Sequence, residues 1–412
     1  MSKKFSNNYW KNPCCRLCES TRLKKVIDLG KSPLANSFYR KIKKNILYVP
    51  LAVEFCQNCF HLQLSHIVNP KKMFQNYLYV SGTSKVTKKH FRIYAEDIKK
   101  IFRHKRKVKI LEIASNDGTF IKNFRSKKYT ALGIDPAKNL NEAFKDNKIK
   151  IITGFFSEQT SNKIKKKYHN FDAIVANNVF AHVDNLIGFS KGVKNILSKE
   201  GIFVLEVSYL IDVLKKNTFD TIYHEHMSFH SYYSLNKFFR NLGMRIFNFK
   251  LSKVQGGSIR LYICHQNSKY KNDPKLSHLQ NHEISNLKIN KIKTYRDMQK
   301  KILEMKYRIQ KNINSNINEG KVLVGYGAAA KTTTLLNFFK INNKHFQFIV
   351  DDNPLKQNRF TPGTNIPIKS PKFIYENKVD YIYILSWNFY KSIISKHKKL
   401  LKQGKKFINL YR

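Results

Sequence analysis

The residues of this chain that are best suited to chemistry are concentrated at 221–230, where three histidines, a glutamate and a tyrosine occur within ten positions. The centre of this stretch is Tyr-His-Glu-His at 223–226. Imidazole titrates near neutral pH and a neighbouring carboxylate can orient it, so Tyr223, Glu225 and His226 are typical of a proton-transfer group. The alternative is a polar loop that encloses a buried, hydrogen-bonded histidine. The location of this stretch relative to the predicted strands and helices distinguishes between these two interpretations.

Cysteines near the N-terminus form a second set of chemically suited residues. Five of the six cysteines lie here, and four of them form two Cys-x-x-Cys pairs, Cys15 with Cys18 and Cys56 with Cys59. Four thiolates at this spacing predict a tetrahedral zinc site. Cys14 is an alternative to Cys15, although only Cys15 keeps the two-residue gap. Because four thiolates leave no open coordination position, the zinc is expected to stabilise a small module and not to catalyse a reaction.

The composition is that of a folded and strongly basic chain. The 412 residues carry a formal net charge of +50, and 42% of them are hydrophobic, which is enough to build cores. The lysines are spread along every segment, which disfavours nucleic acid as a partner and suits a substrate that carries phosphates. There is no apolar run of about 18 residues and no apolar signal core at the N-terminus. We therefore expect a cytoplasmic protein that does not enter the membrane. A monomer or a weak oligomer is expected as well.

The middle of the chain predicts an α/β domain with a doubly wound parallel sheet. One strand ends at Glu112, a turn of small residues follows at 114–118, and the next strand ends at Asp135. An acid at the end of that second strand can bind both hydroxyls of a ribose, and a turn with few glycines suits S-adenosylmethionine better than a pyrophosphate. Polar residues at or near the carboxyl ends of the strands are Asn116, Asp117, Asp135, Asn177, His182 and Glu206. Residues 221–230 follow the fourth strand and can fold over the same edge, which favours the proton-transfer interpretation.

The last third of the chain predicts an amphipathic helix over 284–313, a linker over 312–320 and a second α/β unit. Gly-Tyr-Gly-Ala-Ala-Ala follows a strand at 325–330, and Asp351 ends the next strand. This pattern is close to the dinucleotide fingerprint and alone indicates a nicotinamide cofactor, although the same turn can hold any phosphate-bearing ligand. The predicted domains are a zinc-binding module (1–84), an S-adenosylmethionine-binding core (85–270), a connecting helix (271–319) and a C-terminal Rossmann-like domain (320–412).

The order of these motifs resembles that of the S-adenosylmethionine-dependent C-methyltransferases that act on nucleotide-linked keto-deoxysugars. The likeness extends nearly from end to end, and it rests on Cys-Arg-Leu-Cys with Cys-Gln-Asn-Cys, Glu-Ile-Ala-Ser-Asn-Asp-Gly, Gly-Ile-Asp-Pro, Asn-Asn-Val-Phe-Ala-His-Val, Tyr-His-Glu-His, Gly-Gly-Ser-Ile-Arg, Gly-Tyr-Gly-Ala-Ala-Ala-Lys and Val-Asp-Asp-Asn-Pro. The resemblance implies a zinc-binding module, a Rossmann-like methyltransferase core and a Rossmann-like C-terminal domain that helps to bind the nucleotide sugar. It counts against nicotinamide at the glycine turn. Gln255 departs from the family, where histidine is expected before the double glycine.

The resemblance also implies a mechanism in which a base removes the acidic proton beside a ketone and the enolate carbon attacks the methyl group of S-adenosylmethionine. His226 is the predicted base, Glu225 orients it and Tyr223 donates a hydrogen bond to the keto oxygen. Further candidates for the same pocket are His182, Tyr79 and, as the alternative to Tyr79, Tyr77. The residues chosen for the cofactor are Glu112, Asn116, Gly118, Asp135, Asn177 and Asn178. The residues chosen for the nucleotide sugar are Arg260, Lys331 and Asp351.

Three other functions are considered. A nucleic-acid methyltransferase is suggested by the charge and the zinc module, but it gives no reason for the second Rossmann-like domain. A nicotinamide-dependent sugar oxidoreductase is suggested by the glycine turn at 325–330. A non-catalytic, zinc-stapled scaffold is disfavoured by the intact Tyr-His-Glu-His stretch, in which His224 is expected to be structural, as is His230.

Overall fold

The structure is a computed structural model that describes residues 8–70, 73, 80–83, 85–143 and 149–411. Its strands form sheets of two, four, seven and five strands. Tyr79 and Tyr77, two of the predicted pocket residues, lie outside the described ranges. Among the described residues, the helices lack the length and apolarity that a membrane span requires.

The N-terminal part is built on an antiparallel hairpin. Its strands are β1 (Tyr9–Lys11), β2 (Leu23–Pro33), β3 (Tyr48–Cys56), β4 (Leu62–Leu64) and β5 (His66–Val68). β2, β3 and β4 pair antiparallel in sequence, and β1 pairs with β5. β3 is buried along most of its length, and its Phe55 ring packs against Tyr295 with 5.3 Å between the ring centroids. A helix from the last third of the chain therefore covers this hairpin.

The central sheet has seven strands and carries the edge that we expected to bind ligands. The strands after β5 are β6 (Val108–Ile113), β7 (Tyr129–Asp135), β8 (Lys150–Thr153), β9 (Phe171–Asn177), β10 (Leu197–Ser208), β11 (Ser228–Phe229), β12 (Met244–Ser252) and β13 (Ser258–His265). The order across the sheet is β12-β13-β10-β9-β6-β7-β8. β6 to β10 are parallel and β13 runs antiparallel to β10. This topology confirms the predicted Rossmann-like core. β11 instead extends the N-terminal sheet by pairing with β4.

Helices cover both faces of the central sheet. They are Lys85–Ile101, Lys138–Ala143, Glu158–Tyr168, Leu186–Ile196, Leu210–Lys216 and Tyr232–Asn241. Several begin at side chains that cap the first free amides. Ser157 forms a capping box with Thr160, and Ser231 accepts a hydrogen bond from the amide of Ser234. These caps fix where the chain turns from a strand end into a helix.

The segment that joins the core to the C-terminal domain differs from the single helix predicted over 284–313. The helix Lys275–Asn281 runs into a π-helical turn at His282–Asn286, and the long helix covers Ile292–Asn318. The break occurs where Glu283 is buried and accepts hydrogen bonds from the amides of Tyr232 and Tyr233. The long helix also extends through most of the predicted linker at 312–320, because Ile313 packs in the core.

The C-terminal domain is a five-stranded parallel sheet, as the second α/β unit predicts. Its strands are β14 (Leu323–Tyr326), β15 (Ile349–Val350), β16 (Ile368–Lys369), β17 (Tyr381–Ile384) and β18 (Lys406–Asn409). Their order is β16-β15-β14-β17-β18, and all neighbours are parallel. The helices are Ala330–Phe339, Phe373–Glu376, Tyr390–Lys396 and Lys398–Lys402. This Rossmann-like unit confirms the predicted fold class.

The three parts share one hydrophobic core. A single cluster of buried side chains extends from Leu51 of β3 through Leu111 of β6 to Leu335 of the C-terminal domain. The opposite face of the central sheet, with Ile110 and Val204, packs in a separate cluster against the helix Lys85–Ile101. The shared cluster contains side chains of all three parts. Their packing therefore fixes the positions of the three parts relative to one another at the edge of the central sheet.

Candidate active site

The four predicted cysteines form a metal site. The sulfur atoms of Cys15, Cys18, Cys56 and Cys59 all lie within 4.8 Å of one another. The Cys15–Cys59 and Cys18–Cys56 sulfur distances are 3.5 and 3.6 Å. Tetrahedral zinc with Zn–S bonds of about 2.3 Å separates its sulfur ligands by about 3.8 Å, so the thiol set fits zinc. Cys14 is not part of the group, which leaves Cys15 as the ligand.

The zinc module is fastened to the rest of the molecule near the central sheet edge. The Arg16 guanidinium, between two of the ligands, forms an ion pair of 2.6 Å with Asp184. β4, which follows the second cysteine pair, bonds to β11 within the stretch 221–230. His224 of the same stretch donates its Nε2 proton to the carbonyl oxygen of Val49 at 3.2 Å. The module thus supports the backbone on both sides of His226.

We expect the Cys56→Ser variant to lose its zinc and most of its activity, because the module cannot keep β4 and Val49 in position without the metal. Zinc content per chain, near-ultraviolet circular dichroism and turnover would be measured together. Cys14→Ser is the matched control, since this neighbouring thiol lies outside the four-sulfur group. Zinc loss without any loss of turnover would contradict the supporting role of the module.

A cavity of about 710 Å³ opens at the carboxyl edge of the central sheet. This volume lies in the upper part of the range typical of ligand pockets, roughly 300–1,000 Å³. Most of its walls come from the ends of β6, β7, β8, β9 and β10 and from residues that follow them, while others, such as Gln255 and Lys331, come from later parts of the chain. The polar and charged lining residues that matter below are Asn116, Asp135, Asn177, Asn178, His182, Thr221, Tyr223, His226 and Lys331. The structure therefore brings most of the predicted cofactor residues and most of the predicted catalytic residues to one cavity.

The acid at the end of β7 has the location expected for a ribose-binding residue. Asp135 is buried, and its two carboxylate oxygens accept hydrogen bonds of 2.8 Å from the amides of Asn116 and Ala137. These bonds fix the carboxylate at the end of β7. Asn177 lines the same cavity, and its Oδ1 is buried without a partner among the described residues. An orphaned acceptor and a fixed carboxylate fit a ligand with hydroxyl and amino groups, as S-adenosylmethionine has.

Two of the predicted cofactor residues act behind the cavity wall instead. Glu112 and Gly118 are not among the residues that line the cavity. Glu112 accepts hydrogen bonds from the amide of Ile121 and from the Asn177 side chain, at 3.1 and 3.3 Å. Gly118 has a φ of +70°, and its amide closes the turn on the Ser115 carbonyl. Both residues shape the turn after β6, which is a supporting function.

The hydrogen bonds of His226 define its tautomer. Nδ1 lies 2.8 Å from the Thr221 carbonyl oxygen, which can only accept, so Nδ1 carries the proton. Nε2 of the neutral ring is then an acceptor, and the Tyr223 hydroxyl, 2.8 Å away, donates to it. The resulting chain runs from Tyr223 through the imidazole to Thr221. It presents a basic nitrogen and a phenolic oxygen to the cavity.

Burial keeps two histidines of the cavity, His182 and His226, uncharged at neutral pH. Burial lowers the pKa of His226 well below its ordinary value, and the neighbouring His182 lowers it further. Burial lowers the pKa of His182 to about 4. The rings of His182 and His226 meet edge to face, with 5.0 Å between their centroids. A histidine that stays neutral retains the lone pair that a general base needs.

Glu225 does not orient His226, contrary to the prediction. Both ring nitrogens of His226 are already bonded, one to Thr221 and one to Tyr223. The Glu225 carboxylate instead accepts a bond of 2.6 Å from the side chain of Asn36, and Glu225 does not line the cavity. A backbone carbonyl has therefore taken the orienting function, and Glu225 ties the stretch to the N-terminal part.

Two of the three residues predicted to bind the nucleotide sugar do not face the cavity. The Arg260 guanidinium bonds to Glu206 at 2.8 Å and to Asp97 at 3.1 Å, and it stacks 3.4 Å above the Tyr94 ring. Asp351 accepts a bond of 2.7 Å from the amide of Ala328 in the glycine turn. Arg260 therefore belongs to a buried ion-pair network and Asp351 caps the turn after β14. Lys331, the third residue, lines the cavity.

The C-terminal domain holds the residues just before Tyr223 through contacts that sequence reasoning missed. The Thr334 hydroxyl donates a bond of 3.0 Å to the Ile222 carbonyl oxygen, and the Trp387 indole donates one of 2.7 Å to Asp220. Trp387 also packs on Gly256, where an added Cβ would lie 2.5 Å from the ring. Gly256, in the turn between β12 and β13, is thus needed for the close approach of Trp387. The sequence signal for these contacts is the run of three threonines at 332–334, which are all buried and follow the glycine turn.

Comparison with known proteins agrees with this three-part architecture. Residues 15–74 match a family model described as a zinc binding domain, residues 86–247 match a methyltransferase domain, and residues 253–410 match a C-methyltransferase C-terminal domain. The chain is 28% identical over 410 residues to C-methyltransferase NovU of Streptomyces niveus, which covers 96% of this chain and 94% of that protein.

Similar solved structures match less than half of this chain. An S-adenosylmethionine-dependent methyltransferase from Anabaena variabilis is 13% identical, covers 42% of this chain and 84% of that one, and has a TM-score of 0.34. Magnesium protoporphyrin IX methyltransferase from Synechocystis is 11% identical, with coverages of 44% and 88% and a TM-score of 0.34.

The matched models, the strand order and the cavity make this chain an enzyme, an S-adenosylmethionine-dependent C-methyltransferase with a zinc-binding N-terminal domain. Over almost the whole of both chains, it is similar to C-methyltransferase NovU.

Proposed function

We propose that the enzyme methylates a carbon next to the ketone of a nucleotide-linked deoxysugar. The observation that carries the proposal is the neutral His226–Tyr223 pair, which shares one cavity with the fixed carboxylate of Asp135. A carbon beside a ketone is acidic enough for a positioned base to deprotonate it, whereas an isolated C–H bond is not. The motif order given above supports a nucleotide sugar as the molecule that carries the ketone.

In this proposal the cofactor occupies the part of the cavity formed by the strand ends. Asp135 would hold the ribose, while Asn116, Asn177 and Asn178 would line its remaining polar groups. S-adenosylmethionine supplies an electrophilic methyl group when it is bound. The protein's own contribution is to bind both molecules at one edge and to control a single proton.

His226 is the proposed general base. In the structure the Tyr223 proton points to Nε2, so this nitrogen becomes free when the hydroxyl turns towards the keto oxygen of the substrate. Nε2 can then accept the carbon-bound proton, and the Thr221 carbonyl oxygen stabilises the imidazolium through Nδ1. His182 packs against the same ring and shields it from water. Because burial lowers the pKa of His182 to about 4, this neighbour is itself uncharged at neutral pH.

The two competing activities fit the site less well. A nicotinamide cofactor would need the glycine turn at 325–330, but the Ala328 amide is occupied by the protein's own Asp351. A nucleic-acid substrate would need several cations along its path, and Lys331 is the only lysine or arginine among the described residues that line the cavity.

Mass spectrometry of reactions with S-adenosylmethionine and a panel of nucleotide-linked 4-keto-deoxysugars tests the proposal. The panel should vary the nucleotide among UDP, TDP, GDP and CDP. We expect one member to gain a single methyl group on carbon, and the matched sugar with a hydroxyl in place of the ketone to gain none. Methylation of the hydroxyl sugar, or methylation of no sugar in the panel, would contradict the proposal.

A further inference from the structure

Lys331 is an unusual residue in this cavity. The chain has 77 lysines and arginines, yet Lys331 is the only one of them among the described residues that line the cavity. Its ammonium nitrogen is buried and has no hydrogen-bond partner within the described part of the chain. An ammonium group without such partners is costly to bury, which points to a negatively charged ligand.

The surroundings of Lys331 hold the cation in place without neutralising it. The ammonium lies 4.5 Å from the centre of the Trp387 ring, at the distance of a cation–π contact. Trp387 is in turn held by its hydrogen bond to Asp220. Burial lowers the pKa of Lys331, and the charge of Asp220 acts in the opposite direction. The ammonium group of Lys331 therefore lies at the cavity wall, and its charge is only partly compensated by the described residues around it.

A diphosphate is a poor match for this single cation. The nearby amide that could help to bind a phosphate, that of Ala328, is already bonded to the carboxylate of Asp351. A phosphate at that turn would meet the negative charge of Asp351. The residues that share the cavity wall with Lys331 include Thr221, Tyr223 and His226, which form the proposed proton-transfer group.

The keto oxygen needs a stabilising partner that Tyr223 alone provides poorly. The Tyr223 proton is engaged by His226 in the structure, so the hydroxyl must first be turned away from the base. Stabilisation of a developing oxyanion is strongest when the donor is already in place. Lys331 has a buried ammonium that satisfies this condition.

We propose that the ammonium of Lys331 stabilises the negative charge that develops on the ketone oxygen when His226 removes the neighbouring proton. This role rests on the proposed function. The proton moves from carbon to Nε2 of His226, the electron pair of the C–H bond forms the C=C bond, and the carbonyl π pair moves to oxygen. Lys331 keeps its own proton throughout. When the enolate carbon binds the incoming methyl group, the charge on oxygen disappears again.

Steady-state kinetics of Lys331→Met with the nucleotide-linked keto sugar that the enzyme methylates test this role, with Lys216→Met as the control. Lys216 is a nearby cation that is already paired with Asp212 at 2.8 Å. We expect kcat of Lys331→Met to fall by roughly 10²–10³-fold, while KM and the inhibition constant of the free nucleoside diphosphate change by less than about threefold. Lys216→Met should keep kcat.

A rise in KM and in the inhibition constant of the nucleoside diphosphate, with kcat unchanged, would overturn the role in favour of phosphate binding. Binding of S-adenosylmethionine by calorimetry shows that each variant is folded, and Lys331→Gln replaces Lys331→Met if the latter fails this test. A wild-type enzyme that methylates no nucleotide-linked keto sugar would overturn the proposed function itself, which separates the two failures.

Discussion

The His226→Asn variant is expected to lose turnover by roughly 10²–10⁴-fold, the contribution of a positioned general base. Asparagine can keep one hydrogen bond to its neighbours but cannot accept a proton at neutral pH. The residues proposed to bind the cofactor lie at the strand ends and do not bond to the imidazole, so binding of S-adenosylmethionine should be preserved. Turnover and calorimetric binding would be compared on the same preparation.

Glu225→Gln is the informative companion of this variant. The amide oxygen of glutamine can still accept the hydrogen bond from Asn36, so we expect a loss of less than about tenfold. If Glu225→Gln lost as much turnover as His226→Asn, the base would have to be reassigned to Glu225.

The pH dependence follows from the same site. Since the pKa of His226 is lowered well below 6.5, the ring remains an unprotonated base throughout the neutral range. Protonation of this ring should reduce kcat/KM only when the pH falls well below 6.5, and the rate should not depend on it above that value.

The Arg260→Met variant is expected to lose about 3–5 kcal/mol of unfolding free energy, because it leaves Glu206 charged and buried with only the His90 side chain as an ion-pair partner. Burial alone would raise the pKa of Glu206, but His90 and Arg260 hold it below its ordinary value, so the carboxylate stays ionised. If the core over 85–270 unfolds as one unit, this loss corresponds to a melting temperature that is lower by roughly 10 °C. Thermal denaturation followed by circular dichroism would measure it.

Lys250→Met is the matched control, because Lys250 pairs with the same Asp97 at 2.8 Å but is about half exposed. An exposed ion pair contributes less than about 1 kcal/mol, so this variant should melt almost like the wild type. If Arg260→Met kept wild-type stability and raised KM for the nucleotide sugar, the original prediction that Arg260 binds substrate would be correct.

Local patterns in the sequence predicted those parts of the site that depend on neighbouring residues. The zinc ligands follow from two Cys-x-x-Cys pairs, and Asp135 and Asn177 follow from the rule that parallel strands end at one edge. Tyr223 and His226 are predicted for one proton-transfer group because a phenol, a carboxylate and imidazoles lie together in one short stretch, whereas the direct bond between these two side chains is seen only in the structure. These inferences require only strand and turn geometry.

The predictions that differ from the structure concern partners far away in the sequence. Glu225 bonds to Asn36, which lies 189 positions earlier, and Arg260 bonds to Asp97, 163 positions earlier. No local sequence pattern indicates which distant residue a charged side chain will bond to in the folded protein. The helix predicted over 284–313 breaks for a similar reason, because Glu283 is drawn to the amides of Tyr232 and Tyr233.

Exchange of carbon-bound hydrogen with deuterated water tests the central claim most directly. The substrate identified by the panel would be incubated with the enzyme and S-adenosylhomocysteine, which carries no methyl group to transfer, and followed by NMR. The account predicts deuterium incorporation only at the carbon beside the ketone, with His226→Asn slowing it by at least about a hundredfold. Exchange that is equally fast in wild type and His226→Asn, or methylation by an enzyme that never exchanges this hydrogen, would contradict the account.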